Sequence, residues 1–300
     1  MEQLSYDHAA AKATLKQIIA LDSDRVWTWI ELGRLGVTTG SLAEAATAFN
    51  AALAAARRTG SDRDESVALN EIGDVLVARG NLAEALTSFR DGLAIRDRLG
   101  QADPGNSGWQ RDLSVSYNKI GDVLVAQGNL AEALTSFRDS HDIFDRLAKA
   151  DPGNAGWQRD LSVSYNKIGD VLVAQGNLAE ALTSFRDGLA IADRLAQADP
   201  GNAGWQRDLS VSYERIGDVL KAQGNLAEAL TSFRDGLAIR DRLAQADPGN
   251  AEWQFDLVAS HWRLAEHGDD AAGRFGFIVA ILQKLKDENR LTAAQAACLP

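Results

Sequence analysis

The sequence predicts an all-α fold, a right-handed α-solenoid (superhelix) of antiparallel helix pairs, and three observations support this. Trp109, Trp157, Trp205 and Trp253 recur every 48 residues, and so do the phrases Asp-Pro-Gly-Asn that begin at Asp103, Asp151, Asp199 and Asp247. Such a period marks one supersecondary piece repeated along the chain, each copy too small to bury its apolar face alone. The apolar share of 45% consists largely of Ala and Leu, which lose little side-chain entropy in a helix. Within each copy the apolar residues fall at steps of three and four, the spacing of one helical face.

The copy that begins at Trp109 shows how each element arises. Trp109, Leu113, Tyr117, Ile120, Gly121 and Leu124 form the stripe of a first helix. Gly128 ends it at a position suited to the left-handed conformation. Asn129 is placed to cap the next helix, with Glu132 three residues on in a capping-box-like pattern. Leu130, Ala133, Leu134, Phe137, Ile143 and Leu147 form the second stripe. Asp151-Pro152-Gly153-Asn154 closes it, because proline cannot continue a helix and glycine accepts the turn, and Asn154 is free to cap the first helix of the next copy. The short link at Gly128 makes the two helices antiparallel neighbours.

These residues resemble the tetratricopeptide repeat, whose pattern sets a large residue, Leu-Gly, a further Gly, Ala, an aromatic and a small residue at fixed steps. Here they read Tyr117, Ile120-Gly121, Leu124, Gly128, Ala133, Phe137 and Ser140, then Tyr165, Ile168-Gly169, Leu172, Gly176, Ala181, Phe185 and Gly188. Trp29, Leu32-Gly33, Gly40, Ala45, Phe49 and Ala52 match upstream, followed by Leu69, Ile72-Gly73, Gly80, Ala85, Phe89 and Gly92. Tyr213, Ile216-Gly217, Gly224, Ala229, Phe233 and Gly236 complete five units, framed as 26–65, 66–113, 114–161, 162–209 and 210–257. The period exceeds that of the family's standard unit, so the resemblance implies helices extended by a turn or more. Residues 1–25 keep the register of a second helix alone, through Ala11, Leu15, Ile18 and Ile19. They are either a capping helix or the remnant of a unit whose first half lies upstream. Residues 258–300 are expected to form a degenerate sixth repeat and cap, with a last helix around Phe275 to Asp287.

The chemistry-bearing residues are few. A formal charge of -11 and a pI near 4.9 argue against a general nucleic-acid binder, which needs Lys and Arg on phosphates, and against an anionic membrane. The one cysteine, Cys298, allows no disulfide framework or thiolate metal cage within the chain, and no apolar run is long enough to span a bilayer. A cytoplasmic protein is expected. His261, His267, Asp269 and Asp270 match no common zinc spacing, and no phosphate loop or nucleophile elbow is present. The reading is therefore of a non-enzyme, with no metal and no cofactor.

By resemblance, the stripe opposite the core of the first helices lines the concave face on which tetratricopeptide proteins hold extended peptides or partner helices. It comprises Arg111, Val115, Asn118, Asp122 and Val125, then Arg159, Val163, Asn166, Asp170 and Val173. Arg207, Val211, Glu214, Asp218 and Lys221 come next, and Asn70, Asp74 and Val77 precede. The asparagine amides suit a peptide backbone, and the ladder Asp74, Asp122, Asp170, Asp218 suits a basic segment. The alternative is that each carboxylate pairs along its own helix, as Lys119 and Asp122 or Lys167 and Asp170 are spaced to do. His141 and Phe144 set the third unit apart as a divergent contact: His141 stands where a leucine recurs, as a partly buried histidine or a pH-sensitive contact, and Phe144 as an exposed aromatic for a partner. Two further roles fit the repeats: self-assembly through an exposed half-repeat, and, by resemblance, the sensor or recruiting arm of a larger bacterial effector protein.

Overall fold

A computed structural model describes residues 7–288 and 290–291, and all its regular elements are helices. They run α1 (His8–Leu21), α2 (Val26–Thr38), α3 (Leu42–Thr59), α4 (Asp62–Ala78), α5 (Leu82–Ala102), α6 (Ser107–Ala126) and α7 (Leu130–Ala150). Then come α8 (Ala155–Ala174), α9 (Leu178–Ala198), α10 (Ala203–Ala222), α11 (Leu226–Ala246), α12 (Ala251–Glu266) and α13 (Ala271–Asp287). The chain divides into two compact units after Leu147, within α7. In the first unit α2 pairs with α3 and α4 with α5, and each second helix also packs on the next first helix. In the second unit α8 pairs with α9, α10 with α11 and α12 with α13 in the same manner. Cys298 lies outside the described residues.

The repeat frame read from the sequence sets its boundaries from residue 66 onward within helices rather than between them. Boundaries at 66, 114, 162, 210 and 258 pass through α4, α6, α8, α10 and α12, because they rest on the tetratricopeptide pattern rather than on the helix starts. The starts of α6, α8, α10 and α12 lie at the Asp-Pro-Gly-Asn turn, whereas α4 starts after Ser61. Asn106 Oδ1 accepts from the Trp109 amide at 3.2 Å, and Asn154, Asn202 and Asn250 cap α8, α10 and α12 in the same way. Each turn thereby satisfies one of the amides that a helix start leaves unpaired. The link within a pair is a Schellman ending: Gly128 has φ 78°, its amide donates to Val125 O, and the Asn129 amide donates to Leu124 O at 2.8 Å. The capping box expected at this link does not form at the equivalent Asn81, Asn177 and Asn225, whose side chains bond no helix-start amide. Asn81 Nδ2 instead donates to Glu84 Oε2 at 3.3 Å. Helices of 20 and 21 residues in the middle pairs agree with extended hairpins.

The core of each pair is one aromatic ring laid on one glycine. Phe49, Phe89, Phe137, Phe185 and Phe233 are all at most 2% exposed, and the alanine four residues before each is fully buried. A Cβ on Gly121 would stand 2.6 Å from Phe137 Cε1, so only glycine lets the ring lie against the first helix. Burying a phenylalanine contributes on the order of 1.5–3 kcal/mol, so five such rings account for much of the cohesion within pairs. Gly121→Val should therefore destabilise the protein by about 1–3 kcal/mol through overpacking, read as a lower urea midpoint at unchanged slope. An unchanged midpoint would show that the ring can move aside.

Candidate functional site

Three layers decide what the first helices can offer a ligand. The innermost is polar. Ser66, Ser114, Ser116, Ser162, Ser164, Ser210 and Ser212 are buried, so these helices are covered on more than the apolar stripe. Asn70, Asn166 and Glu214 are buried beside them, and Asn118 is half-buried. The sequence pattern assigned these four to a ligand, and the structure corrects that assignment for three of them: Asn70, Asn166 and Glu214 face the second helix of their own pair, against Gly92, Gly188 and Arg240. The reason is geometric. A small hydroxyl packs almost as closely as alanine, so a face rich in serine and asparagine can be interior without looking apolar.

The position that receives them is occupied by Arg96, Phe144, Ala192 and Arg240 in successive pairs, all 7% exposed or less. Arg96 donates to Ser66 Oγ (3.3 Å), Asp112 O (2.9 Å) and Ser116 Oγ (2.8 Å). With its amide turned toward the guanidinium, Asn70 accepts from Arg96 Nη1 at 2.6 Å. Burial lowers the Arg96 pKa, and Asp112 and Asp74 oppose that shift. Arg240 makes the same set of bonds to Ser210, Asp256 O and Ser260, and adds an ion pair with Glu214 at 2.5 and 2.7 Å. Opposite Phe144 and Ala192, the Oδ1 atoms of Asn118 and Asn166 are buried without a hydrogen-bond partner. Phe144 is 3% exposed, so the expected exposed aromatic contact is replaced by a core residue. His141 is half-buried and has an interaction partner.

The middle layer is a set of ion pairs between successive first helices. Asp74 accepts from Lys119 Nζ at 2.6 Å, Asp170 from Arg215 Nε at 2.9 Å, and Asp218 lies 3.7 Å from Arg263 Nε. Arg159 pairs with Asp208, and Arg207 with Asp256 at 2.7 Å and Glu252 at 2.8 Å. Hydrogen bonding to Asp208 raises the Arg159 pKa, and bonding to Asp256 does the same for Arg207. Burial raises the Asp218 carboxyl against the pull of Arg263, Lys221 and Arg215. The cations that bind Asp74, Asp170 and Asp218 thus come from the next pair, rather than from a lysine on the same helix. Arg111 and Asp122 also have interaction partners. At half-exposed sites each pair contributes roughly 0–1 kcal/mol, so their consistent repetition counts for more than any one bond.

The outermost layer is apolar. Val37, Val77, Val125, Val163 and Val173 are each more than a third exposed on the first helices. In the first unit a pocket of about 290 Å³ opens between α2 and α4. Val37, Leu42, Phe49, Val75 and Ala78 form its walls, with Arg34, Glu71 and Asp74 at its edge. The edge is already neutralised, since Arg34 bonds Glu71 at 2.7 Å and Asp74 holds Lys119. Sequence reasoning placed Val77 on this face but passed over the Val37 pocket, whose signal was a valine at the equivalent step one unit earlier.

The remaining candidate groups are engaged in packing. His261 Nδ1 lies 3.2 Å from Arg274 Nη1, His267 stacks on Phe233, and Asp269 bonds both Arg234 and Arg274. Among the described residues, no three His, Cys, Asp or Glu side chains converge as metal ligands. No described helix is long and apolar enough to cross a membrane.

Known proteins share both the repeat pattern and the architecture. A family model described as tetratricopeptide repeat matches residues 24–98 and 112–194, and a second of that description matches 210–248. Among solved structures, BtubC (BKLC) from P. vanneervenii superposes with a TM-score of 0.64 at 17% identity, covering 81% of this chain and 93% of that one. The apo form of RapI gives 0.59 at 14% identity over 89% and 92%. A putative kinesin light chain from Podosopora anserina with nearly identical TPR-like repeats gives 0.54 at 18% over 74% and 97%. At these identities the likeness is one of fold. No curated protein sequence matches the chain.

The buried layer yields a graded prediction. Arg240→Ala leaves the buried Glu214 carboxylate with only Arg263 Nη1 at 3.3 Å and the Ser260 hydroxyl at 3.1 Å as partners. It should cost about 3 kcal/mol in chemical denaturation, the lower end of the range for a broken buried pair. Glu214→Asn, which recreates the Asn70–Arg96 arrangement, should cost clearly less. Equal losses would show that the ion pair itself has no special weight.

Proposed function

The chain belongs to the tetratricopeptide-repeat family, and from that membership we propose that it holds a segment of a partner protein across the face of its first helices. Tetratricopeptide arrays are protein–protein interaction scaffolds, and an entirely helical architecture suits such a role. The α2–α4 pocket is the observation that supports this reading. Its walls are apolar, its edge charges are satisfied, and its volume suits one aliphatic or aromatic side chain. The exposed Val77 and Val125 extend the same chemistry along the first unit, and exposed Val163 and Val173 repeat it in the second. The partner is then recognised by an apolar anchor, flanked by residues that hydrogen-bond at the edge.

This shifts the role of the aspartate ladder. Asp74, Asp170 and Asp218 are committed to Lys119, Arg215 and Arg263, so a basic ligand would have to displace an existing cation. The net charge of -11 still draws basic segments toward the chain from a distance, which affects association rate more than affinity. A single cysteine in the sequence supports a reducing compartment, hence the cytoplasm.

A peptide-display selection on the full chain tests the reading. Enriched sequences should carry one large apolar residue, and Val37→Glu should lower their affinity at least tenfold, about 1.4 kcal/mol. The pair Asp122→Lys with Asp170→Lys should mainly slow association with basic peptides. A selection with no enrichment, or binding indifferent to Val37→Glu, would overturn the pocket's role.

A further inference from the structure

The helix α13 has a different surface from every second helix before it. In α11 the exposed positions include Thr231, Arg234 and Asp235, a solvated face. In α13 no charged residue occurs from Phe275 to Leu282, and the exposed positions are Phe275 (39%), Phe277 (41%) and Val279 (45%), with Gly276 and Ala280 between them. Trp262 of α12, 48% exposed, meets Phe275 edge-on at 5.4 Å between ring centroids. A stretch apolar on every side belongs in an interior, yet from Phe275 to Leu282 only Ile278 is fully buried.

The cause is a substitution in the Gly–Phe lock. Gly217 and His261 each stand seven residues before the loop glycine of their pair, and Phe233 and Phe277 each stand nine after it. Where Phe233 lies on Gly217, Phe277 meets the His261 ring at 4.3 Å and stays at the surface.

We propose that this face is a homodimer interface, in which α13 packs antiparallel against α13 of a second copy. Two features select a copy over an unrelated partner. The first is charge. Exposed Glu266, the last residue of α12, and exposed Asp270 lie at the start of α13. Exposed Lys284 and Lys286 lie near its end, where Asp287 bonds Gln283 and Glu288 pairs with Arg290. None of Glu266, Asp270, Lys284 and Lys286 forms an ion pair among the described residues. Antiparallel pairing about a two-fold axis sets each acidic end against a basic end, twice. The same placement also complements the helix dipole, so it is favourable in the monomer as well. The second is Gly276. Glycine is among the weakest helix formers, and a Cβ there would meet nothing within 4 Å, so no contact within the chain requires it. It allows a second backbone to come close between the Phe275 and Val279 side chains. The interface is separate from the α2–α4 pocket, and its test does not depend on that reading.

Sedimentation equilibrium of the full chain over a range of concentrations should give a species of twice the 32.2 kDa chain mass. Gly276→Gln, for which the monomer has room, should be monomeric with undiminished thermal stability. Lys284→Glu with Lys286→Glu makes both ends acidic. Glu266→Lys with Asp270→Asn makes the other end basic, and asparagine suits the left-handed backbone of residue 270. Each variant alone should be monomeric, and an equimolar mixture should recover the dimer. The proposal is overturned by a wild-type monomer at all concentrations. Deletion of residues 292–300 that converts such a monomer into a dimer would assign the face to that segment instead. Charge variants that dimerise as well as wild type would also overturn it.

Discussion

The contact on which the rest of this protein depends is the phenylalanine ring packed against a glycine in each of five helix pairs. It fixes how closely two antiparallel helices approach, and it does so identically from Phe49 to Phe233. Within each compact unit, a constant approach gives a constant step from one pair to the next. Contacts between first helices therefore recur at fixed separations: Asp74 reaches Lys119 and Asp170 reaches Arg215 across the same interval. The lock also shows its importance where it fails. With His261 in the glycine's place, Phe277 packs on the imidazole instead and stays 41% exposed.

Given that step, the polar residues of the first helices divide by depth rather than by type. Serines and asparagines one turn from the apolar stripe enter the seam with the second helix, where Arg96 or Arg240 can satisfy them. Aspartates and arginines further round join neighbouring pairs. Valines and a shallow pocket remain uncommitted. A face that looks charged in sequence is thus largely occupied by its own neighbours. Discrimination among partners then falls to shape and apolar fit, with net charge acting at long range.

Much of this was legible in the sequence, and the failures have a common cause. Period, helix identity, the Gly128 ending and the Asn154 cap arise from local chemistry, because steric limits on φ and the unpaired amides of a helix start act within a few residues. The core phenylalanines follow from spacing. The destination of Asn70, Asn166 and Glu214 did not, because a first helix in a stacked array is covered on two sides and the second side is lined with serine. Polar character was read as exposure there. Phe144 failed in the opposite sense: a large apolar residue in a slot that holds arginine in two other pairs was read as a surface change, although the slot is buried in all four. The missed pairing of Asp74 with Lys119 required knowing the step between units, which no single repeat contains.

That slot also shows how near-identical repeats can differ without disturbing the solenoid. Asn70 is bonded by Arg96, and the positions equivalent to Arg96 in the Asn118 and Asn166 pairs hold phenylalanine and alanine. A neutral amide left unsatisfied costs on the order of 1–3 kcal/mol, which a folded array can sustain. Glu214 is not exchangeable in this way. Set opposite Phe144 or Ala192, its buried carboxylate would lose the Arg240 guanidinium and carry the larger cost of an unpaired buried charge. The fifth pair is consequently matched helix to helix, whereas the asparagine pairs accept several partners. Duplication supplied the repeated frame, and changes at one buried position made its members energetically distinct while the outer ion-pair ladder stayed the same.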